Sequence, residues 1–282
     1  MENKITVPKK VCAIHDLAGF GRCSFSVILP VLAAMGVQPC ALPTAVLSTH
    51  TGGFDDYTFV DFTDSMVEYF QHWKKLDIKF DAVYSGFLGN EKQISIVSDI
   101  IDAFKEKDTV IMVDPVMGDD GKLYSTYNTK LQNGMKSLIK KATVITPNIT
   151  EACFLLDVGY KEEHTQDEIN SYLDGLADYG AKQIVITGIR KNEEIHTAFL
   201  DTESKERGLV SETMVKKGYP GTGDIFASIL LGGILKGKSL EASVRSACDF
   251  VYFAIKYSSN IDYPVREGVL LEGLLRKILE YE

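Results

Sequence analysis

The chain has 282 residues, 45% hydrophobic and 24% charged, a balance that excludes disordered, collagen-like and disulfide-scaffold proteins. With 30 Lys and Arg against 39 Asp and Glu, its net charge is −9, which disfavours a long nucleic-acid backbone as partner because such binding needs a basic stripe. Five scattered cysteines without a C-x-x-C pair indicate neither a disulfide framework nor a cysteine zinc site.

Met1 to Lys10 is polar and charged and has no signal-peptide core. The longest apolar run, Ile225 to Leu235, is too short for a membrane span, so a cytoplasmic protein is expected. Short β-branched runs then alternate with amphipathic stretches. Candidate strands are Val11 to His15, Val37 to Leu42, Ala82 to Ser85, Thr109 to Asp114, Thr143 to Thr146 and Gln183 to Thr187. Most are continuously apolar, as strands covered on both faces must be. Thr51 to Phe62, rich in Gly, aromatic and β-branched residues, is expected as an edge strand or a flap. Ser65-x-x-Glu68 and Thr165-x-x-Glu168 have the form of capping boxes, and Ile94, Val97, Ile101 and Phe104 recur at helical spacing. A hairpin, Ile195 to Asp201 with Leu209 to Val215, precedes helical stretches starting near Asp224, Leu240 and Glu267. No linker divides the chain, so residues 1–282 are expected to form one α/β domain around a parallel, doubly wound sheet.

The most informative segment is Tyr219-Pro220-Gly221-Thr222-Gly223-Asp224, followed by an apolar helix from Ile225. Glycines let successive N–H groups converge, and the helix start adds its positive end, which makes a cradle for phosphate oxygens. An aspartate there would repel a phosphate. It makes sense if Asp224 takes the proton of a hydroxyl attacking a phosphoryl group. The alternative is a glycine turn with Asp capping a buried helix.

Two further carboxylate sets stand at strand exits: Asp114-Pro115-Val116-Met117-Gly118-Asp119, and Thr146-Pro147-Asn148-Ile149-Thr150-Glu151. In doubly wound sheets ligands bind at that edge. Magnesium favours carboxylates, water and phosphate oxygens, so Asp114, Asp119 and Glu151 could hold a metal–nucleotide, mostly through water; singly, Asp-Pro reads equally as a turn and Asn-x-x-Glu as a cap. His15-Asp16, Thr44 to His50, Ser85 to Gly89 and Thr187-Gly188 would open on the same crevice. Gly19-Phe20-Gly21-Arg22-Cys23-Ser24 approximates the dinucleotide fingerprint but lacks its third glycine and the later acid, so NAD is not expected. Phe20, Tyr84 and Phe87 could stack on a flat ring or simply fill the core. His72, His164 and His196 have surface-like neighbours, and structural or exposed roles are the default for all five histidines, with His50, in Thr49-His50-Thr51-Gly52-Gly53, the one most open to another role.

Taken together, Gly19-Phe20-Gly21, Thr44 to Thr51, Ser85 to Gly89, Asp114 to Gly118, Thr146-Pro147-Asn148 with Glu151, and Gly221 to Asp224 resemble, in order and over nearly the whole chain, a vitamin kinase of the ribokinase superfamily, and most closely the pyridoxal/pyridoxamine kinases. The resemblance implies a three-layer α/β/α fold, a homodimer, and ATP-dependent phosphorylation of the 5′-hydroxymethyl group of a B6 vitamer with Mg2+ and often K+. It makes Asp224 the base and the amides of Gly221, Thr222 and Gly223 the anion hole. Asp114, Asp119 and Glu151 would organise Mg-ATP, with Thr146, Asn148, Thr187 and Gly188 along the nucleotide. Asp16 and Thr44 would meet polar atoms of the ring near Phe87. The chain departs from the pyridoxal branch at Asp16, where serine is usual, and at Pro43, where asparagine is common. A hydroxymethylpyrimidine kinase shares the ATP side, and a ligand-sensing protein that has lost catalysis is the alternative of another class.

Overall fold

The computed structural model describes residues 7–124 and 127–281; of the polar N-terminal stretch, residues 1–6 lie outside these. In chain order the elements are β1 (Lys10–Ala18), α1 (Phe25–Ala34), β2 (Gln38–Leu47), β3 (Phe59–Asp61), α2 (Thr63–Lys75), β4 (Ala82–Ser85), α3 (Glu91–Phe104), β5 (Val110–Val113), β6 (Gly118–Asp119), β7 (Lys122–Leu123), α4 (Thr129–Ile139), β8 (Val144–Ile145), α5 (Ile149–Leu155), α6 (Gln166–Ala177), β9 (Gln183–Lys191), β10 (Glu194–Asp201), β11 (Arg207–Thr213), α7 (Thr222–Leu235), α8 (Leu240–Ser259) and α9 (Leu275–Ile278).

One nine-stranded sheet has the order β11-β10-β9-β8-β5-β4-β1-β2-β3. Its centre, from β9 to β2, is parallel. Antiparallel strands close both edges, β3 beside β2 and the β10–β11 hairpin beside β9. Alternation along β1 explains the layers, because successive strand residues face opposite sides. Cys12 and Ile14 join the core under α2 to α6, whereas Val11 and Ala13 pack with α1, α7, α8 and α9. The result is the expected three-layer α/β/α arrangement of ribokinase-like type. Among the described residues no helix is long and apolar enough to cross a membrane.

All six candidate strands form and Thr51 to Phe62 supplies the edge strand β3, while other expectations need correction. Strand β2 continues to Leu47, and its register against β1 slips between His15 and Leu17, next to the His15–Pro43 pair. Pro43 has no N–H for the ladder, and proline in a sheet is accommodated at such irregularities. Within Thr51 to Phe62 only β3 is strand; residues 51–58 form a loop. Ser65 and Glu68 do not cap α2, which starts earlier, where Asp61 accepts the Thr63 N–H at 2.7 Å. Near Glu267 there is a 3-10 turn, ended by Gly268 at φ 82°, and the short α9 comes later.

His164 and His196 are buried, not at the surface. His164 packs between Tyr160 and Tyr172, and His196 Nδ1 lies 2.6 Å from the Ser211 hydroxyl. By contrast, the Thr165 box is made: Thr165 Oγ1 accepts from the Glu168 N–H at 3.2 Å, and Glu168 accepts from the Thr165 N–H at 3.0 Å. Losing such a cap costs about 1 kcal/mol. Thr165→Ala is therefore expected to lower the unfolding free energy from urea titration by that amount, and an unchanged value would show that this box contributes nothing to α6.

Candidate active site

The slip between β1 and β2 falls at Asp16 and Thr44, and bulges re-aim side chains next to functional sites. Asp16 is buried, and its Oδ1 accepts the Ser24 hydroxyl at 2.5 Å. Burial pushes its carboxyl up to about 6, with the Asp224 charge adding and the Ser24 hydrogen bond opposing. Thr44 is fully buried, and its hydroxyl donates to the Phe87 carbonyl at 3.1 Å; it ties the loop after β4 in place instead of presenting a free donor. Phe87 itself is half-buried on that loop. The same loop needs Gly86, since a Cβ there would lie 2.5 Å from the His15 ring. His15, wedged against Tyr84 at 4.3 Å, is kept neutral by burial, which pulls it down to about 3.

Across the crevice, α7 begins at Gly221, whose φ of 79° is left-handed. A Cβ on Gly221 would sit 2.1 Å from the Arg22 carbonyl, so the turn and the Gly19–Ser24 loop can approach only because residue 221 is glycine. The Thr222, Gly223 and Asp224 N–H groups stand in the first helical turn, without intrahelical acceptors. Open space lies over Gly223, where an added Cβ would meet nothing within 4 Å. Asp224 Oδ2 accepts the Ser24 N–H at 2.7 Å, and the Cys23 thiol lies 3.5 Å away. Burial raises the Asp224 carboxyl, against the Ser24 and Cys23 hydrogen bonds.

Asp114, buried at the end of β5, is raised first by burial and then by the Asp224 charge, with the Thr146 hydroxyl beside it opposing. Glu151 is held well above the usual carboxylate range by burial and by Asp114. Its two oxygens accept the Met117 N–H at 3.0 Å and the Asn148 N–H at 2.8 Å, while Asn148 Oδ1 accepts the Glu151 N–H at 2.9 Å. Asn148 and Glu151 thus form a capping box on α5, and the Asn148 amide also donates to the Gly118 carbonyl at 2.8 Å. Thr187 and Gly188 lie on β9 beside Asn148, bridged to it through Thr187.

The three carboxylates expected around a metal do not converge as a direct ligand set. Asp119 is exposed, Glu151 is committed to backbone amides, and no three-ligand group of His, Cys, Asp or Glu exists among the described residues. Such a donor set fits magnesium kept largely on water and phosphate oxygens, with Asp114 the carboxylate whose oxygens are least committed.

Two features escaped the sequence. Ser24 joins Asp16 to Asp224, and its signal was the missing third glycine of the fingerprint. His50 is a latch: Nδ1 accepts the Gly52 N–H at 3.1 Å and Nε2 meets the Arg266 carbonyl at 2.7 Å, which fixes the ring proton on Nε2.

With this geometry in place, the profile of the phosphomethylpyrimidine kinase family matches residues 29–267. The chain belongs to the phosphomethylpyrimidine kinase family. The match includes Asp114, Glu151 and Asp224, whereas Asp16 and Ser24 precede it. Among solved structures, the chain is similar to a Bacteroides thetaiotaomicron protein assigned to the same kinases and crystallised with pyridoxal: 40% identity, 96% of each chain covered, TM-score 0.93. It is also similar to the pyridoxal kinase of Lactobacillus plantarum, at 30% identity over 96% of this chain and 97% of that one, TM-score 0.89. A Schizosaccharomyces pombe protein assigned as a pyridoxal kinase is 32% identical over 162 residues, 55% of this chain; the chain spans 46% of that relative's length.

Two outcomes follow for this family member. Gly221→Ala would force a Cβ into the Arg22 carbonyl at a positive φ, so its melting temperature is expected to fall; an unchanged value would mean the turn can yield. For Asp114, a carboxyl raised in the folded state binds more protons there than in the unfolded chain, so its contribution makes stability fall as pH rises through its raised value. Asp114→Asn is expected to raise the urea midpoint relative to the parent at pH 8 and to change it less at pH 4. A larger gain at pH 4 would contradict the assigned direction.

Proposed function

We propose that this chain transfers the γ-phosphoryl group of ATP to the 5′-hydroxymethyl group of a B6 vitamer, giving the 5′-phosphate and ADP. The observation that carries this is the placement of Asp224 at the open, glycine-lined start of α7, held by one backbone amide and electrostatically coupled to Asp114. The likeness to a protein crystallised with pyridoxal supports the vitamer side.

In the proposed step the hydroxymethyl oxygen attacks the γ-phosphorus in line, its proton passes to Asp224, and the bond from the γ-phosphorus to the bridging oxygen breaks to release ADP. Asp224 removes the proton at the point of attack, as a base must. The amides of Gly221, Thr222 and Gly223 stabilise the moving phosphoryl group, since catalysis here is positioning plus electrostatics. Magnesium, when bound with ATP, neutralises phosphate charge; Asp114 would hold it directly, with Asp119 and Glu151 acting through water. Thr146, Asn148, Thr187 and Gly188 line the nucleotide side, and Asp16 and Phe87 the ring side. The chain acts as a homodimer in the cytoplasm, a compartment supported by five free thiols.

One observation favours a pyrimidine instead. Asp16 puts a buried carboxylate where the pyridoxal branch has serine, and an aminopyrimidine offers it a donor. Turnover with MgATP on pyridoxal, pyridoxamine and hydroxymethylpyrimidine separates the two: kcat/KM is expected to be at least tenfold higher for a B6 vitamer, and the reverse order would assign the pyrimidine. Because a positioned base contributes about 10²–10⁴ in rate, Asp224→Ala should lower kcat by that factor and leave ATP affinity within twofold. Wild-type kcat in this variant would remove Asp224 from the mechanism.

A further inference from the structure

Ser24 occupies the place of the fingerprint's absent third glycine, and its backbone adopts a glycine's conformation. Its φ of 52° and ψ of −130° match the first corner of a type II′ turn, a position dominated by glycine. Of the other described non-glycine residues at positive φ, all but Lys205 are Asp or Asn, which tolerate that region. A serine held there is strained, and such strain persists only where the surroundings over-determine it.

The surroundings do so through both polar groups of the residue. The N–H donates to Asp224 Oδ2 at 2.7 Å, and the hydroxyl to buried Asp16 at 2.5 Å. Ser24 also stands at the N-cap of α1, where a serine hydroxyl ordinarily accepts from the first helical turn. Here it makes no such bond; it has been diverted to Asp16.

We propose that Ser24 is a positioning residue for phosphoryl transfer: its hydroxyl, anchored on Asp16, holds the loop in the strained conformation that aims its amide at the Asp224 carboxylate. This rests on Asp224 being the base. Both donors of Ser24 are spent on the two carboxylates. It acts through Asp224, and it makes one residue the spacer between the carboxylate on the ring side and the carboxylate that takes the proton.

Ser24→Ala keeps the strain without the anchor, whereas Ser24→Gly needs no anchor, because glycine adopts this conformation unaided and keeps the same N–H. The full-length Ser24→Ala variant is expected to melt lower, to lose at least tenfold in kcat and to keep its KM for ATP within twofold, and Ser24→Gly to recover kcat to within threefold of the parent. A kcat within twofold of the parent in Ser24→Ala overturns the proposal, as does a kcat of Ser24→Gly as low as that of Ser24→Ala. If Asp224→Ala keeps wild-type kcat, the function itself was misassigned. If Asp224→Ala is disabled and Ser24→Ala is not, only the role of Ser24 is lost.

Discussion

Like charges gathered in a poorly solvated crevice govern this molecule. Asp16, Asp114, Glu151 and Asp224 come from β1, the end of β5, α5 and α7, and each is raised by burial. Burial disfavours the ionised form, and neighbouring charges of the same sign add to it. What opposes this is a small number of hydrogen bonds, mostly from the backbone: Ser24 to Asp224, Met117 and Asn148 to Glu151, and the Ser24 hydroxyl to Asp16. The β1–α1 loop, the segment before β6 and the start of α5 deliver those donors. A crevice of this kind is relieved by any bound cation, which suits the proposed transfer from a metal-bound nucleotide.

The sheet was legible because its central strands are covered on both faces and therefore read as unbroken apolar runs. Where the reading fell short, the cause was a residue whose local signal was outweighed by its surroundings. Pro43 marks the slip of β2, but the sequence does not show that pairing resumes beyond it, as far as Leu47. Ser65 and Glu68 have the spacing of a cap, and Asp61 satisfies the helix start before they can. His164 and His196 have polar neighbours in sequence and aromatic or hydroxyl partners in space.

The site was legible to a different depth on its two sides. Asp224 and the glycines before it sit on consecutive residues, so a local motif carries most of their geometry. Asn148 and Glu151 make the plain helix cap, and Glu151 also faces the charge of Asp114. Ser24 and His50 depend on partners far along the chain, Asp224 and Arg266, and no spacing rule announces them.

The loop between β1 and α1 is fastened from the other end of the molecule. Its Arg22 N–H donates to the Glu267 carbonyl at 2.9 Å, and the Arg22 guanidinium pairs with Glu272 at 2.8 Å; Ser24 meets Asp224 across 200 positions. Contacts this distant are closed late, after the loop entropy between them has been overcome. On the ribosome, a nascent chain can pair its first strands long before residue 272 has left the exit tunnel. The Ser24–Asp224 contact, which would orient the proposed base, therefore cannot close until the start of α7 has emerged.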